Sequence, residues 1–300
     1  MDEFEGKVKS NGIHLHVRYL PDGDKTPIVL VMGLGFQMTS WPENLLELLQ
    51  KHSYPVLLFD NRDVGLSEEI PYKKQDNILL SLLQYRFQFA MQHAYSLTDM
   101  VEDTIGLLDH FELKKVHLLG ISMGGMISQI LSSKYPDRVK TLTLLATSDN
   151  STDNPIPSID TLWKFLGSGI SGHDLESVKR RRLLLIKAIR SPGFRQKSDE
   201  ELLTIIEKGY FRSYKPEGLN RQLHAILSTG SLRNYYPSLK VPTMIVHGKE
   251  DPLIHYSCAQ NLARYISNAR LHLIDGLGHD LPEDFMPVLV NLLLSHTKEE

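Results

Sequence analysis

The chain has 300 residues, of which 41% are hydrophobic and 23% are charged, and its formal net charge at pH 7 is −3. This composition is typical of a globular protein with a large core, and the slight negative charge argues against a nucleic-acid partner. The single cysteine, Cys258, excludes an internal disulfide and suits a reducing compartment.

The N-terminal stretch MDEFEGKVKSNG has neither a basic n-region nor an apolar h-region, so no signal peptide is predicted. The most lipophilic stretch, ILLSLLQYRFQFAMQ at residues 78–92, is too short and too polar to span a bilayer. We therefore expect a soluble, cytoplasmic protein with no membrane partner.

Strands and helices alternate along most of the chain. KVKSNGIHLHVRYL alternates on both sides of Asn11-Gly12, which is a strong hairpin signal. Further strands are predicted at PIVLVM, YPVLLFD, KVHLLG, VKTLTLLAT, VPTMIVHG and ARLHLID. The predicted helices are WPENLLELLQKH, SLTDMVEDTIGLLDHF, MGGMISQILSSKYP, SCAQNLARYI and LPEDFMPVLVNLLLSH. This order predicts an α/β fold with a mostly parallel, doubly wound sheet.

Residues 149–236 depart from this alternation, because a polar, Pro-rich loop is followed only by helix-like pieces. These are DTLWKFL, ESVKRRRLLLIKAI, DEELLTIIEKGYFRS and NRQLHAILSTGS. We interpret the segment as a helical cap inserted after strand 6, above a core made of residues 1–148 and 237–300. Its basic run, residues 179–182, is interpreted as the solvated face of an amphipathic helix, with a patch for an anionic ligand as the alternative.

One serine lies between glycines in Gly120-Ile121-Ser122-Met123-Gly124, between a predicted strand and a predicted helix. This G-x-S-x-G spacing suits a strained turn that exposes a serine hydroxyl at the carboxyl end of a parallel sheet, where α/β sheets bind ligands. The helix N-terminus behind the serine favours developing negative charge. We therefore predict that Ser122 is a nucleophile, and a chance match in a Gly-containing turn is the alternative.

A serine nucleophile needs a base, and the base needs an orienting acid. His279 is the best candidate base among the 13 histidines, since it lies in the Gly-rich loop IDGLGHDLPED after the last predicted strand. Asp251 directly follows another strand in VHGKEDPLIH and is the predicted acid, with Asp149 as the alternative. The chain order Ser122, Asp251, His279 is the one expected for a triad on this kind of fold.

Other polar residues near these positions are given structural roles. His247 and His255, which flank Asp251, are interpreted as strand-end or surface histidines with satisfied hydrogen bonds, and Asp280 is expected to point away from the site. His14 and His16 form an H-x-H pattern without a third ligand at a suitable spacing, so no metal site is predicted.

Acyl transfer also needs donors for the tetrahedral oxyanion. The N–H of Met123, directly after the nucleophile, is one, and we expect the other to be the N–H of Leu34 in the loop Met32-Gly33-Leu34-Gly35. The Gly-x-Gly of this loop lacks a third glycine and does not open a helix at once, which argues against a dinucleotide site.

Taken together, these motifs resemble the α/β-hydrolase superfamily over essentially the whole chain. The stretches that carry the resemblance are VMGLGFQMTSWP, LLFDNRDVGLSE, GISMGGMISQ, VHGKEDPLI and GLGHDLPE. The first two look particularly like those of aclacinomycin-methylesterase-like carboxylesterases. One departure is Met32, where many members of the superfamily have a histidine that shapes the oxyanion loop.

The resemblance implies roles for individual residues. It implies that Ser122, Asp251 and His279 act as nucleophile, acid and base, with Leu34 and Met123 as oxyanion donors. It also implies that a group of residues in the strand-4 turn organises the loop rather than reacts. This group is Asp60, Arg62 and Asp63.

We therefore expect a serine-dependent carboxylesterase that acts on a small ester and needs no cofactor or metal. Gly33 and Gly35, with Trp163 and Tyr210 of the cap, are the predicted lining of the substrate pocket, and packing within the cap is the alternative for the two aromatic residues. The same triad can cleave thioesters, lactones or C–C bonds. A non-catalytic binding protein of the same fold and a lipase acting at lipid surfaces are further alternatives.

Overall fold

The computed structural model describes residues 2–72, 78–87, 89–167 and 172–298. Its strands are β1 Phe4–Ser10, β2 Ile13–Leu20, β3 Ile28–Val31, β4 Val56–Phe59, β5 Val116–Ile121, β6 Val139–Leu145, β7 Thr243–Gly248 and β8 Ala269–Ile274. Its α-helices are α1 Glu43–Lys51, α2 Ile78–Arg86, α3 Leu97–His110, α4 Met123–Lys134, α5 Ile159–Gly167, α6 Leu175–Ile189, α7 Asp199–Arg212, α8 Pro216–Thr229, α9 Ser257–Tyr265 and α10 Met286–Thr297.

The strands form one sheet in the order β1-β2-β4-β3-β5-β6-β7-β8. β1 and β2 form the predicted hairpin, in which Asn11 and Gly12 both have positive φ, 46° and 82°. β2 pairs antiparallel with β4, whereas the strands from β3 to β8 run parallel to their neighbours. The predicted mostly parallel sheet is confirmed.

Apolar residues cover both faces of this sheet. In β3, Val29 and Val31 contribute to the core on one face, whereas Ile28 and Leu30 contribute to the core on the other. Helices α3, α4 and α9 bury their apolar residues in the first core, and α1 and α10 bury theirs in the second. Because helices shield both faces, β3 and its neighbours read as continuous apolar runs, as buried parallel strands do.

The segment between β6 and β7 is helical and contains α5 to α8, so the predicted insertion after strand 6 is confirmed. Residues 168–171 of the predicted cap lie outside the described residues. Helix α8 begins at Pro216, four residues before the predicted piece NRQLHAILSTGS, because proline at N1 has a helix-compatible φ and lacks only an N–H that would have no partner there.

The lipophilic stretch 78–92 includes α2, a helix of nine residues. Across the described ranges, none of the helices combines the length and the apolar character that crossing a membrane would require.

Candidate active site

Ser122 joins β5 to α4 in a sharp turn. Its backbone has φ 54° and ψ −120°, a conformation that residues with a side chain rarely adopt. A Cβ on Gly120 would lie 2.4 Å from the Gly124 carbonyl oxygen, and one on Gly124 would lie 2.0 Å from the carbonyl oxygen of Val31. Both glycines of the motif are therefore needed for the turn to pack against the sheet.

The loop after β3 passes directly beside this serine, since a Cβ on Gly33 would lie 3.3 Å from Ser122 Cβ. Within the described residues, the backbone N–H groups of Leu34 and Met123 have no hydrogen-bond partner, so both are available to an acceptor. The Ser122 hydroxyl also makes no hydrogen bond to a described residue, and none joins it to His279.

Asp251 and His279 meet at the same edge of the sheet, in the loops after β7 and β8. His279 Nδ1 lies 2.6 Å from Asp251 Oδ2, and both side chains are buried. The other carboxylate oxygen of Asp251 accepts hydrogen bonds from the N–H groups of Leu253 and Ile254, at 2.9 and 2.8 Å. The structure therefore brings together the predicted acid and base and fixes the acid through its own loop.

A second imidazole, that of His247 on β7, also faces this carboxylate. Its Nε2 lies 2.8 Å from the Ile254 carbonyl oxygen and 3.4 Å from Asp251 Oδ2. Its Nδ1 is buried and has no partner within the described ranges, so only one ring nitrogen has the satisfied hydrogen bonding that we expected.

These contacts determine the charge on Asp251. Burial alone would raise the pKa of Asp251, but the charge of His279 and hydrogen bonds from His247 and His279 outweigh it and hold the pKa well below its usual range. An ionised carboxylate only accepts hydrogen bonds, so His279 Nδ1 carries the shared proton, and in the neutral ring Nε2 is then the nitrogen with the lone pair of a base.

Asp149, the alternative acid, has other partners. Its Oδ2 accepts a 2.6 Å hydrogen bond from Arg233 Nε, and its Oδ1 accepts bonds from Ser151 N and Asn154 Nδ2. This carboxylate therefore holds the chain after β6 to the segment that precedes β7, and it does not contact His279.

The loop that carries His279 is joined to the end of α6. The His279 N–H donates to the carbonyl oxygen of Ile189 at 2.8 Å, and the Gly278 N–H donates to Ser191 Oγ at 2.8 Å. Ser191 in turn donates to Asp280, whose carboxylate is directed at this joint. Burial raises the pKa of Asp280, and the hydrogen bond from Ser191 partly opposes this effect.

The loop after β3 is joined to the cap in a similar way. Gln222 of α8 accepts a 2.9 Å hydrogen bond from the Gly35 N–H and donates to the carbonyl oxygen of Arg62 at 2.7 Å. Beside it, Arg221 forms two 2.9 Å contacts with the buried carboxylate of Asp63. Gln222 therefore occupies the N–H of Gly35, whereas the N–H of the preceding Leu34 stays available.

The buried carboxylate of Asp60 links the same loop to α7. Its Oδ1 accepts from the Met38 N–H at 2.7 Å, and its Oδ2 pairs with Arg212 of the cap at 2.8 Å. Asn61 donates to the carbonyl oxygen of Met32, whose side chain is buried in the core. These polar contacts hold the loop in a chain that has methionine at this position.

A cleft opens between the cap and the core beside this loop. Its lining includes Leu34, Gly35 and Phe36 from the core and Phe165, Leu185 and Tyr214 from the cap. Ser122 and His279 are not part of this lining. The cleft therefore borders the oxyanion loop at Leu34 and Gly35 and does not include the candidate nucleophile or base.

The predicted pocket residues occupy different surroundings. Gly33 lies beside Ser122 and Gly35 lines the cleft. Tyr210 stacks on Tyr214 with 5.1 Å between the ring centroids, and its hydroxyl donates to the carbonyl oxygen of His173. The side chain of Trp163 lies outside the cleft, and the residue is 67% exposed.

The basic run on α6 has two kinds of environment. Lys179 pairs with Glu207 at 2.7 Å and Arg180 is exposed, in agreement with the interpretation of a solvated face. Arg181 Nη2 lies 3.4 Å from the Tyr214 hydroxyl, and Arg182 lines the cleft. Successive helical residues point about 100° apart, so four in a row cannot share one face, and Arg182 is the member of the run that lies at the cleft.

Sequence reasoning did not find the cap residues that hold the loops, namely Arg212, Arg221 and Gln222. Their core partners lie more than 150 positions away along the chain. One signal was available. Arg221 and Gln222 lie at the start of NRQLHAILSTGS, directly before its apolar residues, and polar side chains that are buried there need hydrogen-bond partners.

Comparisons with known proteins agree with this architecture. Residues 26–174 match a protein family described as having the alpha/beta hydrolase fold. Rhodomycin D methylesterase DauP of Streptomyces sp. (strain C5) is 26% identical over 92% of this chain and 92% of its own. Rhodomycin D methylesterase DnrP of Streptomyces peucetius is 25% identical over 97% of each chain. The crystal structure of the enol-lactonase from Burkholderia xenovorans LB400 superposes with a TM-score of 0.69 at 22% identity, covering 96% of this chain and 100% of that one.

Proposed function

Because the chain belongs to the α/β-hydrolase superfamily, we propose that it is a serine carboxylesterase in which Ser122 forms an acyl-enzyme. The observation that carries this proposal is the 2.6 Å contact between His279 and the ionised Asp251, at the sheet edge where Ser122 adopts its strained turn. Buried pairs of this kind orient and charge-stabilise the base of a serine nucleophile. The methylesterases named above support an ester as the substrate.

The reaction begins when Ser122 Oγ attacks the ester carbonyl carbon and His279 Nε2 takes the hydroxyl proton. The N–H groups of Leu34 and Met123 donate to the resulting oxyanion. The tetrahedral intermediate collapses, the C–O bond of the ester breaks, and the leaving alcohol takes the proton from His279. Water then attacks the acyl-enzyme with His279 as base, which releases the acid and restores Ser122.

The two N–H donors are supported by their lack of other partners within the described residues. Each oxyanion donor in such a site contributes about 3 kcal/mol to stabilisation of the transition state. Gln222 supports this role indirectly, since its hydrogen bond to Gly35 fixes the peptide that follows Leu34.

The proposal includes the arrangement of the chain and its location. Residues 1–148 and 237–300 form the hydrolase core, residues 149–236 form a cap that selects the substrate, and the enzyme is cytoplasmic and acts on a small molecule. Gly33 and Gly35 belong to the substrate side of the site, whereas Tyr210 and the exposed Trp163 do not line the cleft.

A fluorophosphonate probe followed by peptide mapping tests the nucleophile, and hydrolysis of 4-nitrophenyl esters of increasing acyl length tests the reaction. We expect label on Ser122, together with ester turnover that the Ser122→Ala variant lacks. Label on another residue, or full turnover by the variant, would contradict the proposal.

The same groups can attack a thioester, lactone or activated C–C substrate, and the enol-lactonase with this fold illustrates the breadth of the reaction type. A panel containing one ester, one thioester and one lactone of matched acyl length separates these reactions. We expect the ester to have the highest kcat/KM. If Ser122 is labelled but the enzyme prefers the thioester or the lactone, Ser122 remains the nucleophile and the assignment of an ester as the bond cleaved is wrong.

A further inference from the structure

The cleft beside the oxyanion loop has an unusual charge distribution. Its lining contains two cationic side chains, Arg182 and Lys215, and no aspartate or glutamate among the described residues. The rest is mainly apolar, with Leu34, Phe165 and Leu219 among the contributors. A ligand in this cleft therefore meets an apolar wall and positive charge.

The two cations differ in their partners. Lys215 donates to the carbonyl oxygen of Ser67; burial lowers the pKa of its ammonium group, and the carboxylates of Glu69, Asp63 and Asp60 partly oppose this effect. Arg182 makes no ion pair or hydrogen bond with any residue that the structure describes, and burial lowers the pKa of its guanidinium, as does the charge of Arg181. Arg182 is half-buried at the cleft, and a partly desolvated guanidinium without a carboxylate partner favours a ligand that supplies the counter-charge.

Arg182 lies on the helix that supports the proposed base, His279. Ile189, seven residues further along α6, accepts the hydrogen bond from the His279 N–H. Seven residues of α-helix span about 10 Å, so the guanidinium belongs to the helix that supports the base yet is more than one helical turn from it. The same cleft is bordered by Leu34, the proposed oxyanion donor.

We propose that Arg182 is a carboxylate-binding residue and that the natural substrate is an ester with an anionic carboxylate separated from the scissile bond by several carbon atoms. This inference rests on the proposed esterase function and names its substrate class. A planar guanidinium binds a carboxylate through two parallel hydrogen bonds. A single uncompensated cation matches a monoanion, and the carboxylates around Lys215 disfavour a dianion such as a phosphate monoester.

The test compares esters that differ only in the charge at the far end. On the acyl side, the 4-nitrophenyl half-ester of suberic acid is compared with the 4-nitrophenyl ester of suberic monoamide. On the alcohol side, the acetate ester of 8-hydroxyoctanoic acid is compared with that of its amide in a pH-stat. In at least one pair we expect the wild type to favour the carboxylate at least tenfold in kcat/KM, through KM, and less so in 1 M salt.

The Arg182→Gln variant should lose this preference and retain its activity on the amide-terminated esters. Arg182→Lys keeps the positive charge but cannot form the two parallel hydrogen bonds of a guanidinium, so it should retain part of the preference. Arg180→Gln is the matched control, because it removes an exposed charge from the same helix and should leave the preference unchanged. Equal loss on charged and neutral esters in Arg182→Gln, or no preference in the wild type with either pair, would overturn the inference.

Binding without turnover separates this inference from the proposed function. Calorimetric titration of the Ser122→Ala variant with suberic monoamide should show binding that a further Arg182→Gln substitution weakens at least tenfold. If the wild type cleaves neutral esters but this binding is absent, the esterase stands and the carboxylate site fails. If the wild type cleaves no ester while this binding is present, the esterase proposal fails and the site stands.

Discussion

At the scale of single residues, the conformation of Ser122 connects stability with the proposed activity. A residue with a side chain at φ 54° and ψ −120° costs about 1–3 kcal/mol, and such strain persists only where surrounding packing fixes it. The close approaches of Gly120 and Gly124 to neighbouring backbone provide that packing. The turn keeps the hydroxyl at the carboxyl end of the sheet at the expense of some stability.

Substitution of Ser122 by glycine should therefore lower the activity of the protein but raise its stability. Ser122→Ala and Ser122→Gly should each lower ester turnover by about 10³-fold or more, because the nucleophile is lost. The free energy of unfolding of Ser122→Gly should exceed that of Ser122→Ala by about 1 kcal/mol, since glycine tolerates positive φ. In urea unfolding this appears as a higher midpoint for Ser122→Gly. Equal unfolding midpoints for the two variants would show that the turn is unstrained.

Substitution of the two candidate acids should affect different properties, activity for Asp251 and stability for Asp149. Asp251→Asn should lower kcat by at least 10³-fold with little loss of folded protein, because it removes the charged partner of His279. Asp149→Asn should leave kcat within about tenfold and instead lower the unfolding free energy, since it weakens the contact with Arg233. Urea unfolding and ester kinetics on both variants check this, and the reverse ranking of kcat would move the acid to Asp149.

At the scale of elements, local patterns were sufficient wherever an element depends on its own residues. The hairpin followed from Asn11-Gly12, and α3, predicted at SLTDMVEDTIGLLDHF, begins at a local capping box between Ser96 and Asp99. Buried strands followed from uninterrupted apolar runs. In each case the deciding contacts are local or lie within one layer of the fold.

Contacts between the cap and the core could not be predicted from such patterns. Periodicity identifies the apolar face of α6 or α8, but it does not determine which distant loop the polar residues at its edge will meet. For that reason Gln222 was not associated with Gly35, and Arg182 was assigned to a solvated face. The orientation of α5 to α8 over the sheet results from packing between elements far apart in sequence.

The pair of Arg221 and Asp63 provides a measure of how firmly α8 holds the core. Both side chains are buried, so Arg221→Ala leaves an uncompensated carboxylate and should lower the unfolding free energy by about 3–5 kcal/mol. The control is Lys164→Ala, which breaks an exposed pair with Asp160 on α5 and should cost less than about 1 kcal/mol. Similar costs for the two variants in urea unfolding would indicate that the cap contact contributes little.

At the scale of the whole molecule, the buried acid–base pair should make stability depend on pH. The pKa of Asp251 is lower in the folded protein than its ordinary value of about 3.9. The unfolded state therefore binds the proton first, so the stabilisation by Asp251 is fully present above about pH 5 and declines as the pH falls below that.

The difference in unfolding free energy between the wild type and Asp251→Asn should accordingly shrink as the pH falls from about 6 to about 2. Urea unfolding at a series of pH values measures this difference. The Ser122→Ala variant keeps the pair and should follow the wild-type dependence. A difference between wild type and Asp251→Asn that is constant across this range would contradict the charge assigned to Asp251.

The joint between α6 and the histidine loop has a consequence for protein engineering. Because Ile189 and Ser191 hold the backbone on which His279 is mounted, the cap is also part of the support for the base. A chimera that received the cap of another hydrolase would need compatible residues at this joint, or its imidazole would lose its alignment. Recombination across this fold should therefore succeed when residues 189–193 are inherited together with residues 276–280, and the two segments should evolve as one unit.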